Sequence, residues 1–573
     1  MKTNNGQSEE YDRKWWKEAI VYQIYPRSFQ DSNGDGIGDI PGIISRLDYV
    51  KSLGIDVIWL NPIFASPNDD NGYDICDYYR IMDEMGTMGD FDRLLDEIHA
   101  RNMKLILDLV VNHTSDEHAW FQEGRKSREN PYYSFYHWWP AEKGTPPFRA
   151  SIFDAEGDAW EYNPPTDSYY LHYFSFKQPD LNWENPQVRD EIYKMMRFWL
   201  DKGIDGFRLD AITLIGKDMS YPEIKPVKSN HDVFSDDIFQ YYLESKETHR
   251  YLQEMNREVL SRYDIMTVGE ASGVKSENAW EYVDPERHEL NMIYHFGHSD
   301  VHEETEPTDE ALGINYNLVE FKKTFTEWDE AVGNGWPAVY LGNHDQSRMV
   351  SRFGNDAPEF RELSSKMLAT FLMTVRGTPY WYAGDEIGMT NIRFDDIEDY
   401  KDISTRNEYE RIKKGGGDTR RFLEMQKETS RDNGRTPFQW DATSRAGFTE
   451  GVPWLKVNPD HTEINVEKED RERDSILNYF RRLVALRKEN PVWIYGTCKL
   501  IDRQNVQIYA YLRELGEVKH LVLLNFSSQT ADVDCPFPLS VENRILGNYT
   551  DFDKKSRDGK FSLRPFEALI FVL

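Results

Sequence analysis

The 573-residue sequence predicts an α/β fold: an eight-stranded (β/α) TIM barrel with an inserted subdomain after the third strand and a C-terminal all-β domain. Three observations predict it. From residue 19 to residue 383, short apolar runs alternate with helix-like patterns, the mark of βα units that build a parallel sheet. There are eight such runs, and a closed barrel of eight takes ~250 residues plus insertions. The count alone also admits a doubly wound open sheet. After residue 496 the pattern changes to alternating or continuous β-type runs without helices between them.

The eight strands are predicted at 19–25, 57–62, 105–112, 206–211, 266–270, 292–296, 338–343 and 380–383. The third carries the near-continuous apolar run expected of a parallel strand buried on both faces. The helices between them are amphipathic. Ile43, Ile44, Leu47, Val50 and Leu53 recur at three- and four-residue steps, as one face of a helix requires. Met195, Phe198 and Trp199 mark a second face, and Leu318, Phe321, Phe325 and Trp328 a third. Residues 1–113 thus form the first part of the barrel. Residues 114–178 are rich in aromatics, Pro and charge and too long for an ordinary loop, so an inserted subdomain is drawn at 114–182. The barrel resumes over 183–496, with a second, mixed-charge insertion at about 390–459 and a helix at 475–488. Residues 497–573 form the C-terminal β domain.

Composition excludes several function classes. With 100 acidic and 68 Lys/Arg side chains the formal charge is −32, so neither a phosphate backbone nor an anionic membrane is an expected partner. Aromatics at 14% argue against a disordered chain. Cys76, Cys498 and Cys535 make no disulfide framework or metal-finger spacing. The N-terminus lacks the apolar core of a signal peptide, and no apolar run approaches the ~18 residues of a membrane span. A cytoplasmic location is therefore expected.

In a barrel, reactive groups sit where the strands end and the following loops begin. The third strand offers Asp108 and, just beyond it, His113; the fourth Arg208 and Asp210; the fifth Glu270; the seventh Asn343, His344 and Asp345. Each carboxylate alone reads as a strand-end salt bridge. Asp210, Glu270 and Asp345 leaving one face together suggest carbohydrate cleavage, in which one carboxyl protonates and another attacks or activates water. Arg208 and Asp210 are two apart on a strand and share a face, so the guanidinium is expected to depress the Asp210 pKa and suit it to be a nucleophile. Glu270, with no adjacent cation in the sequence, suits a general acid of raised pKa. Asp31, Asn33, Asp35 and Asp39 alternate with glycines in a loop fit to wrap a hard cation. An EF-hand is rejected, because the twelfth position is Gly42 and no flanking helix pair is evident. His113 and His344 lack metal-pair spacing and read as hydrogen-bonding partners of a polar substrate. No phosphate-loop or GxSxG pattern is present, and no organic cofactor is expected.

The segments WWKEAIVYQIYPRSFQDSNGDGIGD, DLVVNHTSDEHAWF, GFRLDAI, VGEAS, LGNHDQSR and SRDNGRTPFQWD stand in the order found in glycoside hydrolase family 13, the α-amylase superfamily. The sequence closely resembles that family over nearly its whole length, most of all its α-glucosidase and oligo-1,6-glucosidase branch. The resemblance implies an exo-acting, retaining α-glucosidase on short oligosaccharides or sucrose, with some transglucosylation. It implies Asp210 as nucleophile, Glu270 as acid/base and Asp345 as the group holding sugar hydroxyls in the transition state. His113, Arg208 and His344 match glycone-binding residues; Asp70, Tyr73 and Arg435 match the groups that close the pocket over the non-reducing end. Asp31, Asn33, Asp35, Asp39 and the Ile37 carbonyl match the branch's single structural Ca²⁺ or Mg²⁺ site. The substrate implied is a small oligosaccharide or disaccharide, and the enzyme a monomer or weak homo-oligomer. Linkage signals conflict. Ala211, after the nucleophile, is smaller than the Val of α-1,6-preferring relatives, whereas QPDLN (178–182) resembles the oligo-1,6 group. SRDNGRTPFQWD is also similar to the sucrose isomerases, but their Arg-Leu-Asp-Arg-Asp run after the sixth strand is replaced by FGHSDVHEETEP (296–307).

Overall fold

The computed structural model describes residues 11–225, 233, 236–243, 245–300, 315–552 and 560–573. Eight parallel strands lie in one sheet: β1 Val21–Ile24, β2 Val57–Leu60, β3 Lys104–Val110, β4 Gly206–Asp210, β5 Met266–Glu270, β6 Met292–Tyr294, β7 Ala338–Val339 and β8 Thr378–Tyr382. β1 pairs with both β2 and β8, which an open doubly wound sheet with β1 and β8 at opposite edges does not allow. The circle is completed by a single parallel bridge between Ile293 and Pro337, at β6 and β7.

Alternation along these strands sorts the two faces of the barrel wall. Val21, Val57, Trp59, Ile106, Met266, Val268 and Met292 fill the interior as one buried cluster. Ile58, Leu60, Leu105, Leu107, Phe207 and Leu209 point outward into the core shared with the helices. Asp108, Arg208, Asp210 and Glu270 keep the inward parity of Ile106, Gly206 and Val268, so the polar residues at the strand ends crown the interior.

The helices follow their apolar faces. The first begins at Ile40, earlier than the periodicity alone indicates, because the Asp39 carboxylate caps Gly42 N and Pro41 suits the first turn. Helices at Pro186–Lys202 and Leu318–Ala331 bury Met195 and Trp199, and Leu318, Phe321, Phe325 and Trp328. Ser475 caps Ile476–Glu489. β7 is the strand that falls furthest short of its predicted length. Gly342 in its continuation lies so close to Asp385 that an added Cβ would stand 2.7 Å from a carboxylate oxygen.

The subdomain after β3 contains a three-stranded antiparallel sheet, Trp138–Pro140, Ser168–Leu171 and Trp160–Asn163, with Ser168–Leu171 in the middle. The bridge His113–Asp180 stitches its end back to the mouth of β3, and Tyr136–Leu181 ties that end to the subdomain itself. An unpredicted antiparallel pair, Phe64–Ala65 with Asp77–Ile81, follows β2. The insertion after β8 holds helices Ile403–Lys414 and Thr419–Thr429. The C-terminal domain is an antiparallel five-stranded sheet with strand Ile508–Leu515 between Thr497–Ile501 and Val518–Asn525. Cys76, Cys498 and Cys535 are free thiols. Among the described residues no helix is long and apolar enough to cross a membrane.

Candidate active site

Arg208 is the centre of the barrel mouth. It is 1% exposed and lies over the Trp59 ring, with its guanidinium 5.3 Å from the ring centre. Its Nη1 donates to Asp108 at 2.8 Å and to Asp210 through a short bond. Its Nη2 donates to Glu270 Oε2 at 2.8 Å and to the Tyr294 hydroxyl at 2.6 Å. One fixed fork thus places Asp210 and Glu270 side by side, which suits Arg and not Lys. Ala211 completes the arrangement: its φ of 43° is left-handed, unusual for a residue with a Cβ, and its N–H donates to Glu270 Oε2 at 3.0 Å. Glu270 Oε1 accepts from the Ser272 hydroxyl at 3.4 Å.

The electrostatics differ from the sequence expectation. Burial pushes Asp210 up to about 7; Arg208 lowers it, but Asp108 adds to the rise. Burial also pushes Glu270 up to about 7, against the pull of Arg208. Arg208 therefore does not depress Asp210 below the usual range, and Glu270 does have a cation beside it. The reason is burial, which one guanidinium shared among three carboxylates, Asp108 included, does not offset. Arg208 donates to both carboxyls, to Asp210 by the shorter contact, while Glu270 also accepts from the Ala211 amide and the Ser272 hydroxyl.

Asp345 is the opposite case. Burial disfavours its charge, but Arg431, Arg435 and Arg208 together hold it below the usual carboxylate range. Arg435 Nη2 and Arg431 Nη1 donate to its Oδ1 at 3.0 and 3.2 Å. His344 is buried and its pKa is pushed down to about 3 by burial, so it is neutral. Gln23 donates to its Nδ1 at 2.8 Å, which leaves the proton on Nε2, 3.1 Å from Asp345 Oδ2. Tyr73 stacks on the same imidazole, its ring centre 5.2 Å away, and its hydroxyl lies 2.6 Å from His344 Nε2 and reaches Asp108 at 3.1 Å.

The remaining wall comes from the loop after β2 and from the subdomain. Gln178 Nε2 donates to Asp70 at 3.1 Å and lies 3.2 Å from His113 Nε2, which itself reaches the Tyr73 carbonyl at 3.1 Å. Burial pushes Asp70 up to about 7 despite Arg431 and Arg435. The cation nearest Asp70 is Arg431, at 3.8 Å; Arg435 is turned to Asp345 and the His344 carbonyl. Sequence reasoning missed Arg431, although SRDNGRTP contains it, and missed Tyr294, whose inward place at the end of β6 was its one signal. Solvent still reaches the floor of the pocket, where the Asp210, Glu270 and Asp345 side chains are 12%, 13% and 27% exposed.

Residues 23–496 match the family described as alpha amylase, catalytic domain. The chain belongs to the alpha-amylase family. This family member is 51% identical to an oligo-1,6-glucosidase of Parageobacillus thermoglucosidasius, over 98% of this chain and 99% of that one. It is 48% identical to an oligo-1,6-glucosidase of Bacillus cereus, over 98% and 100%. Among solved structures, the isomaltulose synthase SmuA from Protaminobacter rubrum superposes with a TM-score of 0.90 at 43% identity, covering 98% of this chain and 100% of that one.

In this alpha-amylase family member the loop of residues 31–39 is wound by its own side chains. Asp31 accepts from Asn33 N, Gly34 N, Gly36 N and the Thr449 hydroxyl; Asn33 accepts from Asp35 N, and Asp35 from Ile37 N. Asp39 accepts from Ser32 and Gly42. Among the described residues, no three His, Cys, Asp or Glu side chains converge to hold a metal ion. A cation there would rely on the neutral Asn33 oxygen and the Ile37 carbonyl beside the carboxylates, the mixed set that the family resemblance implies.

Proposed function

We propose that Asp210 is the nucleophile and Glu270 the acid/base of a retaining, exo-acting α-glucosidase that cleaves terminal bonds of short oligosaccharides, α-1,6 bonds among them. The protein is a glycoside hydrolase of the α-glucosidase type. The observation that carries the assignment of roles is the Arg208 fork, which bears Asp210 and Glu270 together, opposite an Asp345 kept ionised. In the first step Glu270 gives its proton to the glycosidic oxygen as Asp210 attacks the anomeric carbon, and the aglycone leaves. In the second, Glu270 takes a proton from water, which cleaves the glucosyl ester and returns the original anomeric configuration. Asp345 and neutral His344 hold ring hydroxyls as positive charge develops, the electrostatic work for which a fixed carboxylate is suited. Asp70, Gln178, Tyr73 and His113 form the wall that would end the pocket at one glucose.

The α-1,6 preference is supported by the two relatives named oligo-1,6-glucosidase, and Ala211 supports some tolerance of α-1,4 bonds and sucrose. Product identification on maltose, isomaltose, sucrose, trehalose and panose tests this, and inactivity on all five would sink it. Likeness to a solved isomaltulose synthase favours a second reading, sucrose isomerisation. The segment that separates the two, 296–307, lies mostly outside the described residues. Isomaltulose or trehalulose as the main product from sucrose would select that reading; glucose plus fructose would select hydrolysis.

We further propose one structural Ca²⁺ or Mg²⁺ in the 31–39 loop, a cytoplasmic setting suited to three free thiols, no nucleic-acid partner, and a monomer or weak homo-oligomer.

A further inference from the structure

Asp402 caps the helix Ile403–Lys414 with one oxygen and binds the active-site arginines with the other. Its Oδ2 accepts from Thr405 N at 2.9 Å and from the Thr405 hydroxyl at 2.8 Å. Its Oδ1 accepts from Arg431 Nε at 2.8 Å and from Arg431 Nη2, and lies 3.8 Å from Arg435 Nη1. The side chain is 2% exposed. Arg431 and Arg435 are like charges converging on one oxygen of Asp345, so each repels the other. Asp402 is the carboxylate on their far side. It draws the Arg431 fork back to a 3.8 Å approach to Asp70 while Nη1 still reaches Asp345 at 3.2 Å. Arg431 also lies over the Phe153 ring, 5.2 Å from its centre, so its plane is fixed from a third direction.

We propose that Asp402 is a positioning residue of the glucosidase reaction: it aims Arg431 at Asp345 and offsets the charge of the arginine pair, keeping the pocket receptive to a cationic glycone. The inference rests on the α-glucosidase reading. It connects the helix Ile403–Lys414 of the insertion after β8 to the arginines that hold Asp345.

Asp402→Asn separates the two duties, because Asn caps a helix as well as Asp does but has one acceptor oxygen and no charge. The pocket of this variant gains one unit of positive charge. Titration calorimetry on the full chain, with 1-deoxynojirimycin as a cationic glucose mimic and glucose as a neutral one, reads this without relying on turnover. The dissociation constant of the cation is expected to rise about tenfold more than that of glucose, as expected for a charge several ångströms away in a partly wet site. kcat/KM for 4-nitrophenyl α-glucoside should fall with it. Thr405→Ala, which weakens the cap and leaves Arg431 held, should lower the Tm without moving the ratio of the two constants. Should Asp402→Asn be insoluble, Asp402→Ser, which also caps without charge, takes its place. Equal changes for both ligands, or a lowered Tm alone, would overturn the proposal. An unmodified enzyme inactive on every α-glucoside would instead overturn the α-glucosidase reading.

Discussion

Arg208 and Glu270 meet at 2.8 Å, Nη2 donating to Oε2, while Nη1 of the same guanidinium serves Asp108 and Asp210. Acid/base and nucleophile are therefore spaced by one rigid planar group. Arg208→Lys keeps the charge and loses the fork. It should cost ~10²–10³ in kcat/KM on 4-nitrophenyl α-glucoside, the scale of losing a preorganised donor, with far-UV circular dichroism unchanged. A loss under ~10-fold would show that charge alone suffices.

With Glu270 pushed up to about 7 by burial, it stays protonated through slightly acid pH, and kcat/KM should decline as pH rises past about 7. Glu270→Gln should remove that limb. It should slow isomaltose by ~10²–10⁴, and aryl glucosides with good leaving groups much less, since these need no proton. An unaltered alkaline limb in the variant would assign it to another group.

The same burial has a stability consequence whose sign can be worked out. A carboxyl whose folded value stands above its unfolded one binds its proton more tightly when folded. Its contribution favours the folded state at acid pH and is withdrawn as pH rises through about 7. Asp210→Asn should therefore raise the thermal midpoint more at pH 8 than at pH 5. Equal shifts at both values would mean that the carboxyl is not held above its ordinary range.

Ala211 is 4% exposed, and its amide touches Glu270. Ala211→Val adds two methyls beside the scissile bond and should shift the isomaltose-to-maltose ratio of kcat/KM toward isomaltose by ~10-fold or more, as a one-side-chain change in a pocket does. An unchanged ratio would place linkage control elsewhere.

If the 31–39 loop holds its ion, the purified enzyme should contain about one equivalent of Ca²⁺ or Mg²⁺ by plasma emission spectroscopy. Chelation should then lower the Tm, by an amount set by mass action and worth ~2.7 kcal/mol at a hundredfold excess over Kd. Turnover at 25 °C should hardly change. A metal-free protein of equal Tm would dismiss the ion.

What the sequence made legible follows from what each part of the molecule depends on. β3 could be read because a strand buried on both faces is nearly apolar in a row, and Asp210 and Glu270 could be read because barrel geometry brings strand ends together. β7 could not be read at its true length, since the buried run 338–343 continues past the two residues that pair with β8. The pair Phe64–Ala65 with Asp77–Ile81 was hidden because DYYRI is polar. The roles of Arg431 and Asp402 were hidden because they reach the site from far along the chain. The direction of the Asp210 shift was hidden for another reason: spacing shows a nearby cation, but only the folded chain shows how deeply the carboxyl is buried and how many carboxylates share that cation.

The barrel closes between β6 and β7 through one bridge, and β7 itself is two residues long. Asp345, the group whose position tolerates least drift, is thus suspended from the least firmly woven stave. Its steadiness comes from tethers: two arginines that arrive much later in the chain, and behind one of them the end of a helix. Native-state hydrogen exchange should find the seam at Val339 opening more readily than β3, while the amide of Asp345, which donates to the Asn343 side chain at 2.8 Å, stays protected. In this protein the active-site floor is hung from its covering, so loosening the insertion would unsettle the chemistry before it unsettled the barrel.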